Sequence, residues 1–191
     1  MEQTKIIAVT NRKLYERPFL DQIRRIVEKK PYAIILREKD LPEPEYEKLA
    51  AQVLPVCREG GVTCILHTYA GAARRLGCKS IHMPLWLLEE RVQEDPDFIR
   101  NYGFQDIGVS THSLEDAQKA EALGATYVTA GHIFVTDCKK GLEPRGLEFL
   151  KNVCDGVKIP VFAIGGIHPF NQEEPIKAGA AGVCMMSDFA R

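Results

Sequence analysis

The sequence predicts a closed (β/α)₈ TIM barrel with the final helix missing or vestigial, and three observations carry that expectation. Eight short apolar or β-branched runs recur along the chain, at 5–10, 33–37, 63–67, 80–83, 106–110, 127–131, 160–165 and 182–187. They are continuous rather than alternating, the habit of strands buried on both faces in a parallel sheet covered by helices. The segments between them carry helical spacing. Eight such alternations in 191 residues suit one barrel domain, residues 1–191, better than an open sheet.

Taken in order, the first inter-strand segment places Phe19, Ile23, Ile26 and Val27 on one helical stripe, and the second places Leu49, Val53 and Val56 on another. Ser113 precedes Leu114-Glu115-Asp116-Ala117 as an N-cap residue, and that stretch ends at Gly124. Segments 146–153 and 173–178 supply two further short helices. Arg191 follows the eighth run by four residues, which leaves no room for an eighth helix. One flank of the barrel is then expected to be bare, and a homo-oligomer whose partner covers it is the corresponding expectation. No low-complexity stretch or Ser/Gly/Pro linker interrupts the pattern.

Composition narrows the function classes. The apolar fraction is 45%, the charged fraction 27% and the net charge -1, with no run of Lys or Arg, so nothing marks a nucleic-acid or membrane-surface binder. The N-terminus lacks signal architecture and no apolar stretch approaches a membrane span, which makes cytoplasm the expected location. The six cysteines (Cys57, Cys64, Cys78, Cys138, Cys154, Cys184) show no C-x-x-C spacing, and most sit among apolar neighbours. Buried reduced thiols are expected rather than disulfides or zinc. Cys138, in a polar loop, is the exception.

In such a barrel the catalytic groups sit at the C-terminal ends of the strands. Here those ends offer Thr10, Asn11, Arg37, Lys39, His67, His82, Ser110, His112, His132, Thr136, Lys139, His168 and Ser187. Basic and hydroxyl groups dominate and carboxylates are scarce, as an anionic ligand requires. Gly165-Gly166, closing the seventh run, exposes backbone N–H groups to a phosphate with no Cβ in the way, and Ser187 closes the eighth beside it. All five histidines lie near strand ends, but no H-x-H or H-x-x-x-H pair exists and Glu38 and Asp137 are the nearest acids, so no metal site is expected. His82, inside an apolar run, reads as a packing or hydrogen-bonding residue.

Four motifs in order resemble the thiamine phosphate synthase and TenI superfamily. They are Leu36-Arg37-Glu38-Lys39, Ile107-Gly108-Val109-Ser110-Thr111-His112, the segment from Gly131-His132 through Thr136-Asp137-Cys138-Lys139-Lys140 to Glu143, and Ala163-Ile164-Gly165-Gly166-Ile167. The resemblance implies one of two activities. The synthases couple a pyrimidine diphosphate to thiazole phosphate with Mg²⁺, and the TenI-type tautomerases aromatise a carboxythiazole phosphate. The synthases carry an N-D-R and a G-Q-x-D motif after strands three and four, each with a magnesium ligand. Here those stretches read His67-Thr68-Tyr69 and Met83-Pro84-Leu85-Trp86, and Mg²⁺ wants hard oxygen ligands.

The resemblance therefore points to a thiazole tautomerase, an isomerase needing no cofactor, with a phosphorylated thiazole as its small-molecule partner. Its reaction moves a proton from ring carbon C2 to the exocyclic carbon, and His132 is the expected acid/base. Arg37 is expected to pair with the ring carboxylate. Gly165, Gly166 and Ser187 would hold the phosphate, with Lys39, Ser110, Thr136 and Lys139 lining the ligand. The Mg²⁺-dependent synthase and a non-catalytic thiazole-phosphate-binding or regulatory barrel stand as alternatives.

Overall fold

Side chains of a strand alternate between its two faces, so each run divides into an outward and an inward set. The structure, a computed structural model, describes residues 4–136 and 141–190. Strands β1 (Ile6–Val9), β2 (Ala33–Leu36), β3 (Thr63–His67), β4 (Ser80–Pro84), β5 (Asp106–Thr111), β6 (Tyr127–Gly131), β7 (Val161–Ile164) and β8 (Gly182–Met185) form a closed parallel barrel in sequence order. Closure runs through Ile6↔Val183, Ile7↔Cys184 and Ala8↔Met185. All eight strands lie on the eight runs read from the sequence.

Ile34, Leu36, Leu66, Ile81, Met83, Ile107, Val109, Val128 and Val183 point outward and pack with the helices in one buried cluster. Ile7, Val9, Ala33, Ile35, Ile65, Tyr127, Phe162 and Cys184 point inward and form a second. The two clusters explain why the runs read as continuously apolar: both faces are out of water.

The crossovers are α1 (Phe19–Glu28), α2 (Glu43–Glu59), α3 (Ala70–Arg75), the pair α4 (Leu85–Glu94) and α5 (Phe98–Tyr102), α6 (Leu114–Ala122), α7 (Gly146–Gly156) and α8 (Glu173–Lys177). The α1 stripe buries Ile23, Ile26 and Val27 as expected. On α2 the buried stripe is Tyr46, Ala50, Val53 and Cys57, so the expected Leu49–Val53–Val56 stripe was turned by most of a residue step. Ser113 caps α6 by accepting from the Asp116 N–H at 3.0 Å. Helices α3 to α5 gave no legible stripe. Helix α3 buries only alanines, and the apolar residues of α4 are bunched at its start.

Beyond β8 the described chain holds a 3₁₀ turn, Ser187–Phe189, and no α-helix. Phe189 and Ala190 are buried, and Gln22 Nε2 on α1 donates to the Phe189 carbonyl at 2.6 Å, so this tail covers part of that flank. No helix among the described residues is long and apolar enough to cross a membrane. The five described cysteines are free thiols, with Cys57, Cys64 and Cys184 buried. Cys138 lies outside the described residues.

Candidate active site

At the C-terminal end of the barrel the inward faces open into a cavity of about 710 Å³, and all five histidines line it. The register builds its floor. His67 pairs with His82 across β3 and β4, His82 with Gly108 on β5, and Gly108 with Tyr127 on β6. These positions share the inner face, so polar side chains meet in a ladder that no local sequence pattern reveals. Tyr127 OH lies 3.0 Å from His82 Nδ1, and His82 Nε2 lies 2.8 Å from Ser110 Oγ. Gly108 makes this possible, because a Cβ there would overlap the Tyr127 ring and His82 Nδ1.

His82 is therefore a hydrogen-bonded member of the cavity wall, in line with its reading as a packing or hydrogen-bonding residue. Burial, then the nearby Arg37 and Lys39 charges, push its pKa down to about 3, so it is neutral at physiological pH. Burial also pushes His67 well below the usual imidazole range, helped by His82, Arg37 and Lys39. The His67 ring stacks on His82 at 5.8 Å, and its Nδ1 lies 2.6 Å from Thr68 Oγ1. Thr68 occupies the left-handed region at φ 69°, a costly place for a β-branched residue. Tyr46 OH donates to the Leu36 carbonyl and accepts the His67 N–H, each at 2.7 Å, tying the ends of β2 and β3 together.

Arg37 is set in place by its neighbours. Glu38 is buried, accepts from Thr10 Oγ1 at 2.7 Å and is paired with Arg12 at 3.1 Å, while Thr10 Oγ1 accepts the Arg37 N–H at 2.9 Å. Asp40 also pairs with Arg12, at 2.6 Å, and the Arg12 guanidinium holds its carboxyl well below the usual range. Both acids beside Arg37 in sequence are thus engaged by Arg12.

The segment after β6 crosses the end of β7. His132 is buried, and its Nε2 lies 3.3 Å from the Leu142 carbonyl, which can only accept. That contact places a proton on Nε2 and leaves Nδ1 as the basic nitrogen of the neutral ring. Gly165 and Gly166 have φ of 100° and 67°. A Cβ at Gly165 would overlap His132, and one at Gly166 would overlap Val135 O and Phe134. The glycines thus make room for the segment carrying His132, and both also line the cavity.

Of the site residues read from the sequence, the cavity gathers Arg37, Lys39, Ser110, His132, Thr136, Gly165, Gly166 and Ser187. Lys139, Asp137 and Cys138 lie outside the described residues. The sequence reading gave no ligand role to Thr68, Tyr69 and Trp86, which line the cavity, and did not foresee the contact between His168 and Asp188, 20 positions apart. The magnesium implied for the synthases fits this wall poorly. Glu38 is the only carboxylate among the described lining residues, and it is spent on Thr10 and Arg12. No group of three or more His, Cys, Asp or Glu among the described residues is placed to hold a metal ion.

Fold and cavity together define a (β/α)₈ barrel of the enzyme type, with a cationic and hydroxyl-rich cavity at the strand ends. The chain belongs to the thiamine monophosphate synthase (TMP-TENI) family, whose model matches residues 6–189. It is 34% identical over 191 residues to an Aquifex aeolicus protein bearing the provisional name thiamine-phosphate synthase 2, covering 99% of each chain. It is 31% identical over 189 residues to the thiamine-phosphate synthase of Clostridium acetobutylicum, covering 96% of this chain and 85% of that one. Among solved structures, the thiamine phosphate pyrophosphorylase from Pyrococcus furiosus superposes with a TM-score of 0.82 at 29% identity, over 98% of this chain and 88% of that one. The chain thus falls among enzymes of thiamine biosynthesis, which bind small phosphorylated substrates.

Proposed function

We propose that this barrel aromatises a carboxythiazole phosphate by proton transfer without a metal, acting as a thiazole tautomerase. The observation that carries the reading is the donor set: the described cavity wall offers imidazoles, cations and hydroxyls, and its one carboxylate is already consumed within the protein. Proton transfer needs an imidazole and places no demand for hard oxygen ligands.

His132 Nδ1 takes the proton from ring carbon C2, and the same nitrogen returns it to the exocyclic carbon while Nε2–H stays on the Leu142 carbonyl. One C–H bond breaks, one forms, and the ring double bonds shift to the aromatic arrangement. Arg37, its backbone pinned through Thr10, pairs with the ring carboxylate and steadies the charge that develops beside C2. Gly165, Gly166 and Ser187 receive the phosphate, and Lys39, Ser110, Thr136 and Lys139 line the rest of the ligand. Replacing His132 with Asn is expected to lower turnover by about 10²–10⁴-fold, with inorganic phosphate still bound. Wild-type turnover in that variant would overturn the assignment.

The Mg²⁺-dependent synthase is the second reading, and the relatives' names favour it more directly than the tautomerase. It requires a metal to neutralise a departing diphosphate, and the ends of β3 and β4 supply His67, Thr68, Met83 and Pro84. The two readings separate in an assay of purified protein with Mg²⁺, pyrimidine diphosphate and thiazole phosphate. Thiamine phosphate formation at enzymatic rate establishes the synthase.

A further inference from the structure

His168, beyond the end of β7, stands on the same cavity wall as Gly165, Gly166 and Ser187 and is held from three sides. Its Nδ1 lies 2.8 Å from Asp188 Oδ2, on the turn after β8. The Phe170 ring lies parallel to it, at 5.2 Å and 11°, while itself being 86% exposed. Its backbone N–H donates to Asn171 Oδ1 at 2.7 Å, and Asn171 Nδ2 donates to the Gly166 carbonyl at 3.0 Å. The imidazole is thereby braced between the glycine turn after β7 and the turn after β8, the two loops such barrels use for phosphate.

A carboxylate can only accept, so the Nδ1 proton is committed to Asp188 and the ring's remaining function is at Nε2. Nε2 has no protein partner among the described residues, and Ser187, whose Oγ lies 3.4 Å from the same carboxylate, is its neighbour across the turn. An orienting carboxylate behind an imidazole is how proteins aim the second ring nitrogen at a ligand. An exposed aromatic ring spent on stacking a polar side chain has the same effect on the ring plane.

We propose that His168 determines specificity for the phosphorylated ligand, its Nε2 sharing one proton with a phosphate oxygen. The proton is supplied by the imidazolium or by a phosphate monoanion, so the bond is charge-assisted in either case. Asp188, Phe170 and Asn171 are positioning residues that aim the ring. The inference rests on the placement of the phosphate at Gly165, Gly166 and Ser187 in the reading above.

The test is calorimetric titration of the full chain with inorganic phosphate, which does not depend on the identity of the rest of the ligand. His168→Asn keeps an amide N–H near the Nδ1 position for Asp188 and deletes Nε2. His168→Gln carries an amide N–H out to the Nε2 position. Phosphate affinity is expected to fall about 10- to 100-fold in His168→Asn, the worth of one charge-assisted hydrogen bond, and His168→Gln is expected to recover most of the loss. Wild-type affinity in His168→Asn overturns the inference, as does equal weakness in both variants, which would mark a structural role. A protein that binds phosphate through His168 but aromatises nothing keeps this inference and loses the proposed reaction. One that aromatises the thiazole while His168→Asn binds phosphate at wild-type strength does the reverse.

Discussion

The inside of the barrel is divided into two halves. On β7, β8, β1 and β2 the inner faces are apolar: Phe162 and Ile164, Cys184, Ile7 and Val9, Ala33 and Ile35. On β3 to β6 the upper inner positions are His67, His82, Ser110 and Thr129, with Tyr127 at their base. The first half is held by packing, where a methyl group is worth a modest and graded amount. The second is held by hydrogen bonds among buried groups, where losing one partner strands another and the loss comes in steps. The proposed chemistry sits where the two halves meet, with His132 leaving β6 and the glycine turn leaving β7.

The largest expected effect lies at that seam. Gly165→Ala drives a Cβ into His132 and is expected to lower turnover by at least about 10²-fold, the lower end of what an acid/base contributes, with the circular dichroism spectrum retained. Unchanged kinetics would show that His132 need not sit against β7. Next comes Gly108→Ala, which forces Tyr127 and His82 apart. Overpacking of this kind costs about 1–3 kcal/mol, read as a lower denaturation midpoint. A smaller change than a conservative swap in the apolar half would break the distinction between the halves.

The third expectation follows from the neutral His82. Its pKa in the folded protein is about 3, against about 6.5 for the unfolded chain, so between those values the unfolded state binds the extra proton. Its contribution is fully present above about pH 6.5 and is lost as pH falls toward 3, at about 1.4 kcal/mol per pH unit. His67 acts in the same direction. Urea midpoints at pH 7 and pH 5 measure the slope, and His82→Gln should flatten it. The smallest effect belongs to the apolar half: Ile7→Val, below the cavity, should cost about 0.5–1.5 kcal/mol and leave turnover as it was.

The division also marks what could be read in the chain. Strands such as β3 and β6 were legible to the residue, because a run buried on both faces has no ambiguity of period. The candidate site was legible as a set of strand ends, since the fold fixes where strand ends go. What stayed hidden depends on register and on distant contacts. The Tyr127–His82–Ser110 ladder spans 45 and 28 positions in its two bonds, and each residue alone looks ordinary. The close packing of Gly165-Gly166 against the segment from His132 to Val135, some thirty positions earlier, was likewise invisible in the local sequence. Helix α3, with only alanines to bury, carries too little apolar contrast to show a period.

The central claim is metal-independent proton transfer, and it is tested most directly by a time course of the purified protein with the non-aromatic carboxythiazole phosphate, following aromatic thiazole by absorbance with a chelator present. Rapid conversion that the chelator leaves unchanged is the predicted result. Conversion no faster than the buffer background, with thiamine phosphate forming once Mg²⁺ and both synthase substrates are supplied, would contradict it.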